Sequence, residues 1–257
     1  MAKVLFLCLK LTIPLYTFND LGQVDSTNNY AMEAVKKGFV APGTAWFSSC
    51  QTAGRGQRGK LWESEPGKNM ALSLALQPGA AFDPRKFHFN AMLALACLEV
   101  LQEILPLEPF FIKWPNDIYW GDRKAGGILT ENLIQGGVWR WAITGIGLNV
   151  NQEEFPGLEH RAISLKIISG KEFDPAAIAL MFQEKIVSKL PAQSDKQELM
   201  DIFNRYLWKR GAWVKLNCHD QIFKVMVERV NEEGKLQVSQ QDGSFRYFSH
   251  GEVEWLN

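Results

Sequence analysis

Three glycines and three cations fall within seven residues at Gly54-Arg55-Gly56-Gln57-Arg58-Gly59-Lys60. Positive charge at that density on a permissive backbone suits an anion such as a phosphate or a carboxylate. Three chemistries fit in part. A dinucleotide fingerprint has the Gly54, Gly56, Gly59 spacing but must open a helix directly, and Leu61-Trp62-Glu63-Ser64-Glu65-Pro66-Gly67 is a poor helix start. A Walker A loop fits at Gly54, Gly59 and Lys60, yet Leu61 stands where a serine or threonine hydroxyl must hold magnesium. The third is a mobile lid whose amides and cations close over an anion, and an ordinary solvated basic loop is the plain alternative.

A second cluster, Lys113-Trp114-Pro115-Asn116-Asp117, is followed seven residues later by Lys124, just before Gly126-Gly127. Pro115 removes a backbone donor, which predicts that Asn116 and Asp117 are presented at a strand end instead of in a ladder. A lysine beside paired glycines can neutralise a carboxylate and a phosphate oxygen together, the charge problem of any carboxylate-plus-ATP reaction. A surface hairpin with ordinary charges is the other reading. In Thr144-Gly145-Ile146-Gly147-Leu148-Asn149-Val150 two glycines alternate with apolar residues, so both face one side of a strand. That side, bare of side chains, suits either a flat ligand or a closely crossing helix.

These residues need a scaffold. Asp25-Ser26-Thr27-Asn28 precedes a helix over 29–37 that Gly38 closes, and 44–50 reads as a strand. The unpatterned stretch 51–68 is a long loop, and 70–77 alternates as a half-buried strand should. The longest helical pattern, 84–105, is apolar on most sides and predicts a buried helix against a sheet. Strands follow at 110–114, 118–120, 127–134 and 138–150, turning at Gly121-Asp122 and Gln135-Gly136-Gly137. Helices are expected from Pro175 to about Leu190 and from Asp195 to Arg210, closed by Gly211. Short strands at 213–216, 222–230, 235–239 and 245–248 then read as a small antiparallel barrel. An opening strand is read at 4–15. The order predicts an α+β fold, a mixed and largely antiparallel sheet with helices on one side, divided into domains 1–210 and 211–257.

At 257 residues the chain can bury a substantial core without disulfides or a structural metal. Twenty-eight Lys plus Arg balance 28 Asp plus Glu, which leaves no broad basic field for nucleic acid or an anionic membrane. Cys8, Cys50, Cys97 and Cys218 lie far apart with no Cys-x-x-Cys pair, so reduced thiols in a cytoplasmic protein are expected and a dedicated metal site is not. No stretch is apolar enough to cross a membrane as a helix. The sequence leaves monomer and homodimer equally open.

Taken together, Asp25-Ser26-Thr27-Asn28, the segment from Gln51 to Gly59, Lys113-Trp114-Pro115-Asn116-Asp117, Lys124 and Gly145-Ile146-Gly147-Leu148-Asn149 resemble the biotin protein ligases in order and spacing. The resemblance covers about residues 20 to 257. It implies a class II synthetase-like catalytic domain with an SH3-like C-terminal barrel. It also implies activation of biotin by ATP and magnesium to biotinoyl-5'-adenylate, then transfer to one lysine of a carboxylase's biotin carboxyl carrier domain. By that likeness Lys124 and Arg55 are catalytic, Arg55 closing over carboxylate and phosphate. Ser26, Thr27, Asn28, Gln51, Gly56, Gln57, Gly126, Gly145 and Gly147 join them around biotin. Arg58, Lys60, Trp62, Lys113, Asn116, Asp117 and Asn149 serve the nucleotide, with Asp117 the carboxylate nearest its magnesium, and Asp117 or Lys113 orienting the acceptor amine.

Gln57 and Lys60 occupy lid positions where the family often has arginine, so a lower lid charge and a looser hold on the adenylate are expected, and Gly126 stands at a position more often alanine. With the family-like core beginning by Asp25, a ligase without an N-terminal DNA-binding domain or repressor activity is expected. A lipoate ligase or octanoyltransferase shares the fold but uses a different arginine-glycine loop. A non-catalytic biotin sensor would not need a cation at the reacting centre.

Overall fold

The computed structural model describes residues 16–38, 40–191 and 195–256. The strand read at 4–15, and Cys8 with it, lies outside the described residues. A seven-stranded sheet carries the molecule, in the order β1-β3-β5-β9-β8-β7-β6. Its strands are β1 (Phe18–Asp20), β3 (Ala45–Ser48), β5 (Met70–Leu76), β6 (Phe110–Lys113), β7 (Asp117–Trp120), β8 (Arg123–Gln135) and β9 (Val138–Leu148). Only β1 and β3 run parallel; every other pairing is antiparallel. A two-stranded parallel pair, β2 (Gln23–Val24) and β4 (Cys50–Gln51), lies beside it.

Helices α2 (His88–Ile104) and α4 (Pro175–Lys189) are buried together with one face of the sheet. Twelve of the seventeen α2 residues are buried, as a helix apolar on most sides requires. The helices are not all on that side. Helix α1 (Thr27–Lys36) packs Ala31 and Val35 on the opposite face, against Trp46, Ala75 and Ile143. For that reason β5 is buried at all seven positions instead of at alternate ones. The paired glycines Gly136 and Gly137, both with positive φ, turn β8 into β9 as expected.

The helix expected through Arg210 stops early. Helix α5 (Lys196–Arg205) ends because residues 206–208 leave it to pair with β6, Ile112 N donating to Tyr206 O and Trp208 N to Ile112 O. The short α3 (Leu165–Ser169), capped by Ser164 and closed by Gly170 at φ 70°, was not anticipated. Beyond Gly211 lies a five-stranded antiparallel sheet in the order β13-β12-β11-β10-β14, which fits an SH3-like unit. Its strands are β10 (Trp213–Cys218), β11 (Gln221–Val230), β12 (Leu236–Ser239), β13 (Phe245–Phe248) and β14 (Glu254–Leu256), the last also unanticipated.

Buried Asn204 joins the two parts. Its amide accepts from Val230 N at 2.7 Å and donates to Val230 O at 3.0 Å. Trp114 Nε1 adds a bond to Gly234 O at 2.9 Å. Asn204→Ala leaves both Val230 groups without their partner, so urea unfolding should show a loss of about 2–3 kcal/mol, with no gain in stability at any pH.

Candidate active site

One face of the sheet forms the floor of a cleft of about 1310 Å3. Its centre is paved with small residues: Ser73 opposes Gly145, Ala71 opposes Gly147, and Gly147 opposes Gly127. The alternation that puts Gly145 and Gly147 on one side is therefore observed. That side is not bare, however. A Cβ on Gly145 would collide with the Asn28 amide, and one on Gly147 would sit 2.5 Å from the Trp62 ring. Both glycines admit residues of this chain, from α1 and from the 51–68 segment.

At the Gly145 end the groups are hydrogen-bonding. Ser26 caps α1, its Oγ accepting from Asn29 N at 3.4 Å. Gln51 Oε1 accepts from Thr27 N at 2.8 Å and from Thr27 Oγ1 at 3.2 Å. Ser73 Oγ donates to Asn28 Oδ1 at 2.6 Å, and Asn28 Nδ2 donates to Glu131 at 2.9 Å. Arg55 belongs to this end too. Its Nη2 lies 3.1 Å from Glu131 Oε1, and its Nη1 donates to Glu131 Oε2 and to Asn29 Oδ1. Glu131 and Lys124 are seven residues apart on β8. In this structure each cation has its own carboxylate, Arg55 with Glu131 and Lys124 with Asp117.

At the Gly147 end the groups are ionic. A bulge at Ala125 falls between the pairs Ile118–Gly126 and Tyr119–Lys124. The added residue turns Lys124 away from the core face shared by Gly126 and Ile128 and onto the cleft face. There its Nζ meets Asp117 Oδ1 at 2.7 Å and stands 5.7 Å from the Trp62 ring centroid. Gly127 makes this possible, since a Cβ on it would sit 3.3 Å from Lys124 Nζ and 3.1 Å from Asp117 Oδ1. Gly126 does not line the cleft: a Cβ there would meet Gly147 O of the next strand at 2.7 Å, so its need for glycine comes from strand packing.

The neighbouring segment departs from expectation in a similar way. Trp114–Pro115 is a cis bond at a tight turn, and Asp117 is in the ladder, paired with both Lys113 and Gly127. Asn116 Nδ2 donates to Ile128 O of β8 at 2.6 Å, and Asn149 Nδ2 donates to Ile163 O, in the segment before α3, at 3.1 Å. Lys113 Nζ donates to Tyr119 Oη at 3.1 Å and stands 4.7 Å from the Trp208 ring and 5.5 Å from that of Trp255. Burial pushes its ammonium down to about 8, against the attraction of Asp117.

The glycine-rich segment is a folded hairpin. Gly56 N donates to Lys60 O, Trp62 N to Gly54 O, and Arg55 bridges Leu61. No α-helix opens there, which removes the dinucleotide and Walker A alternatives. Gln57, Arg58 and Gly59 form its tip, where Arg58 at φ 58° donates to Gly251 O across the cleft at 2.9 Å. Trp62 Nε1 is buried and has no partner among the described residues. Ser73, Glu131, Tyr119 and Trp255 were not singled out from sequence. Ser73 had a signal, a hydroxyl in an otherwise apolar strand, while Glu131 had none.

This constellation is that of a family. The model of the biotin/lipoate A/B protein ligase family matches residues 21–149, half of the chain, and the chain belongs to that family. It is similar to the biotin protein ligase of Aquifex aeolicus, solved in complex with biotin and ATP: 30% identity over 93% of this chain and 98% of that one, TM-score 0.77. It is 29% identical over 233 residues to the bifunctional ligase/repressor BirA of Bacillus spizizenii, covering 88% of this chain and 70% of that protein. Over 138 residues it is 37% identical to the biotin–acetyl-CoA-carboxylase ligase of Paracoccus denitrificans, covering 51% and 53% of the two chains. No described helix is long and apolar enough to cross a membrane.

The lowered ammonium of Lys113 sets a pH dependence. Between about 8 and 10.5 the unfolded chain holds more protons at this lysine than the folded one, so this site makes stability rise with pH across that window and stay flat below it. Urea unfolding across that range should show the rise in the parent chain and a smaller one in Lys113→Met.

Proposed function

We propose that the protein is a biotin protein ligase that joins biotin to ATP and passes the biotinoyl group to a lysine of a biotin carboxyl carrier domain of a carboxylase. The observation that carries this reading is the two-ended cleft. Hydrogen-bonding groups lie at one end, a lysine–aspartate pair lies at the other, and a small-residue floor joins them. Such a cleft suits a compact polar head on an apolar tail that ends in a carboxylate, which is the shape of biotin.

Ser26, Thr27 and Gln51 bind the ureido head, and Gly145 and Gly147 let the site's own Asn28 and Trp62 lie close over the floor. Lys124 receives the tail carboxylate and an α-phosphate oxygen together, which offsets the repulsion between two anions. The carboxylate oxygen forms its bond to the α-phosphorus as the bond from phosphorus to the leaving pyrophosphate breaks. Trp62, with an unpartnered buried N–H, closes over the nucleotide beside Lys113. Arg58 and Lys60 flank it from the hairpin. Magnesium enters with the phosphates as part of the co-substrate, and Asp117 is the carboxylate beside them. In the second step the acceptor amine attacks the acyl carbon, AMP leaves, and the amine's proton passes to Asp117 or solvent. We read the enzyme as cytoplasmic, where ATP and carboxylases meet. A linear acyl substrate is disfavoured, because the donors at the Gly145 end would lose water without gaining a partner.

Lys124→Ala tests the assignment. Magnesium-dependent pyrophosphate release with biotin should fall by about a hundredfold or more while biotin is still bound. Unchanged turnover would overturn the role of Lys124.

A further inference from the structure

The carboxylate of Glu131 ties four separate elements together at the head end of the cleft. It accepts from Asn28 of α1 and takes the guanidinium of Arg55 end-on with both oxygens, at 3.1 and 3.3 Å. Through Asn28 it reaches Ser73 of β5, and through Arg55 it reaches the hairpin and, at 2.8 Å, Asn29. The polarity of this chain is fixed. A carboxylate can only accept, so it selects the Nδ2 side of Asn28, and the hydroxyl of Ser73 then donates to Oδ1. The same carboxylate sets the plane of the guanidinium, since two parallel bonds orient an arginine where one would let it swing. Two bonds of Arg55 go to Glu131 and one to Asn29, so of its five donors two, Nε–H and one on Nη2, have no partner among the described residues.

Resting on the biotin reading above, we propose that Glu131 is a positioning residue for recognition of the ligand's head. It locks Asn28 and Arg55 around the Gly145 end and takes no part in the charge chemistry at Lys124. Arg55 is then a head-end residue, paired with Glu131 while Lys124 is paired with Asp117. The bonds of Glu131 go to Asn28 and Arg55 and none to Lys124 or Asp117, so its influence falls on affinity for the ring.

Glu131→Gln separates this role from the alternatives, because glutamine keeps the acceptor for Asn28 but turns an amide NH2 against the guanidinium. Freeing one long side chain at a binding site costs roughly three- to tenfold in affinity. The KM for biotin should rise by that factor while kcat and the KM for ATP stay within about twofold. The direct reading is binding of biotinol, which keeps the ring and replaces the carboxylate by an alcohol. Its affinity should fall by the same factor as that of biotin, and Glu131→Asp should recover part of both. If biotin weakens and biotinol does not, Arg55 works on the carboxylate and the proposal is overturned. Unchanged affinity for both, or a loss of kcat and ATP affinity with them, also overturns it. The parent chain is the control for the biotin reading: if it binds neither ligand, that reading falls first, whatever the variant does.

Discussion

A cation half-withdrawn from water has to be compensated, and in this cleft each principal cation is compensated by one carboxylate of the sheet. Lys124 is held by Asp117 and Arg55 by Glu131. Much of the local structure serves those two pairs. The bulge at Ala125 turns Lys124 onto the cleft face, and Gly127 leaves room for its ammonium to reach Asp117. At the other end Gly145 lets the Asn28 amide lie flat enough on β9 to reach Glu131. Because the carboxylates sit on strands, the cations inherit the rigidity of the sheet, and the two ends of the cleft keep a fixed separation. On the proposed function, that fixed separation lets one end recognise a head group and the other react with a tail.

The C-terminal sheet takes part in closing this cleft. Arg58 at the hairpin tip bonds Gly251, Trp114 of the β6–β7 turn bonds Gly234, and Trp255 forms one wall of the aromatic surround of Lys113. His250 packs edge-on against Trp114, where burial holds its imidazolium below the ordinary range. The hairpin is thus anchored at both its base and its tip, and its glycines serve backbone pairing as much as flexibility: a Cβ on Gly54 would strike the Trp62 carbonyl. Glycine there is required by close approach, which sequence alone cannot distinguish from mobility.

Elements with strong periodicity were legible. Helices α2 and α4 and the β8–β9 hairpin stand close to where their patterns put them, because amphipathic period and Gly-Gly turns are local signals. The end of α5 was not, since residues 206–208 leave a helical pattern for a tertiary partner, β6, that no local window contains. For the site, Lys124, Asp117, Thr27 and Gln51 were identified from motif and resemblance, and the structure gathers them in one cleft. Their grouping into two ends was hidden. It depends on the parity of β8, and a single extra residue at Ala125 reverses that parity without leaving a mark in the sequence. Glu131 was invisible for a related reason: a glutamate in a strand reads as an ordinary solvated charge until Asn28 and Arg55 are seen beside it.

On the proposed function, the chemistry of the two ends selects one acid. The most direct measurement is pyrophosphate release from magnesium-ATP by the intact chain with biotin, lipoate, octanoate or no acid, followed by mass analysis of an added biotin carboxyl carrier domain. Release with biotin alone, and one biotinoyl group on a carrier lysine, is the expected result. Release with lipoate or octanoate at a rate equal to or above that with biotin would contradict it, as would tight biotin binding with no pyrophosphate formed.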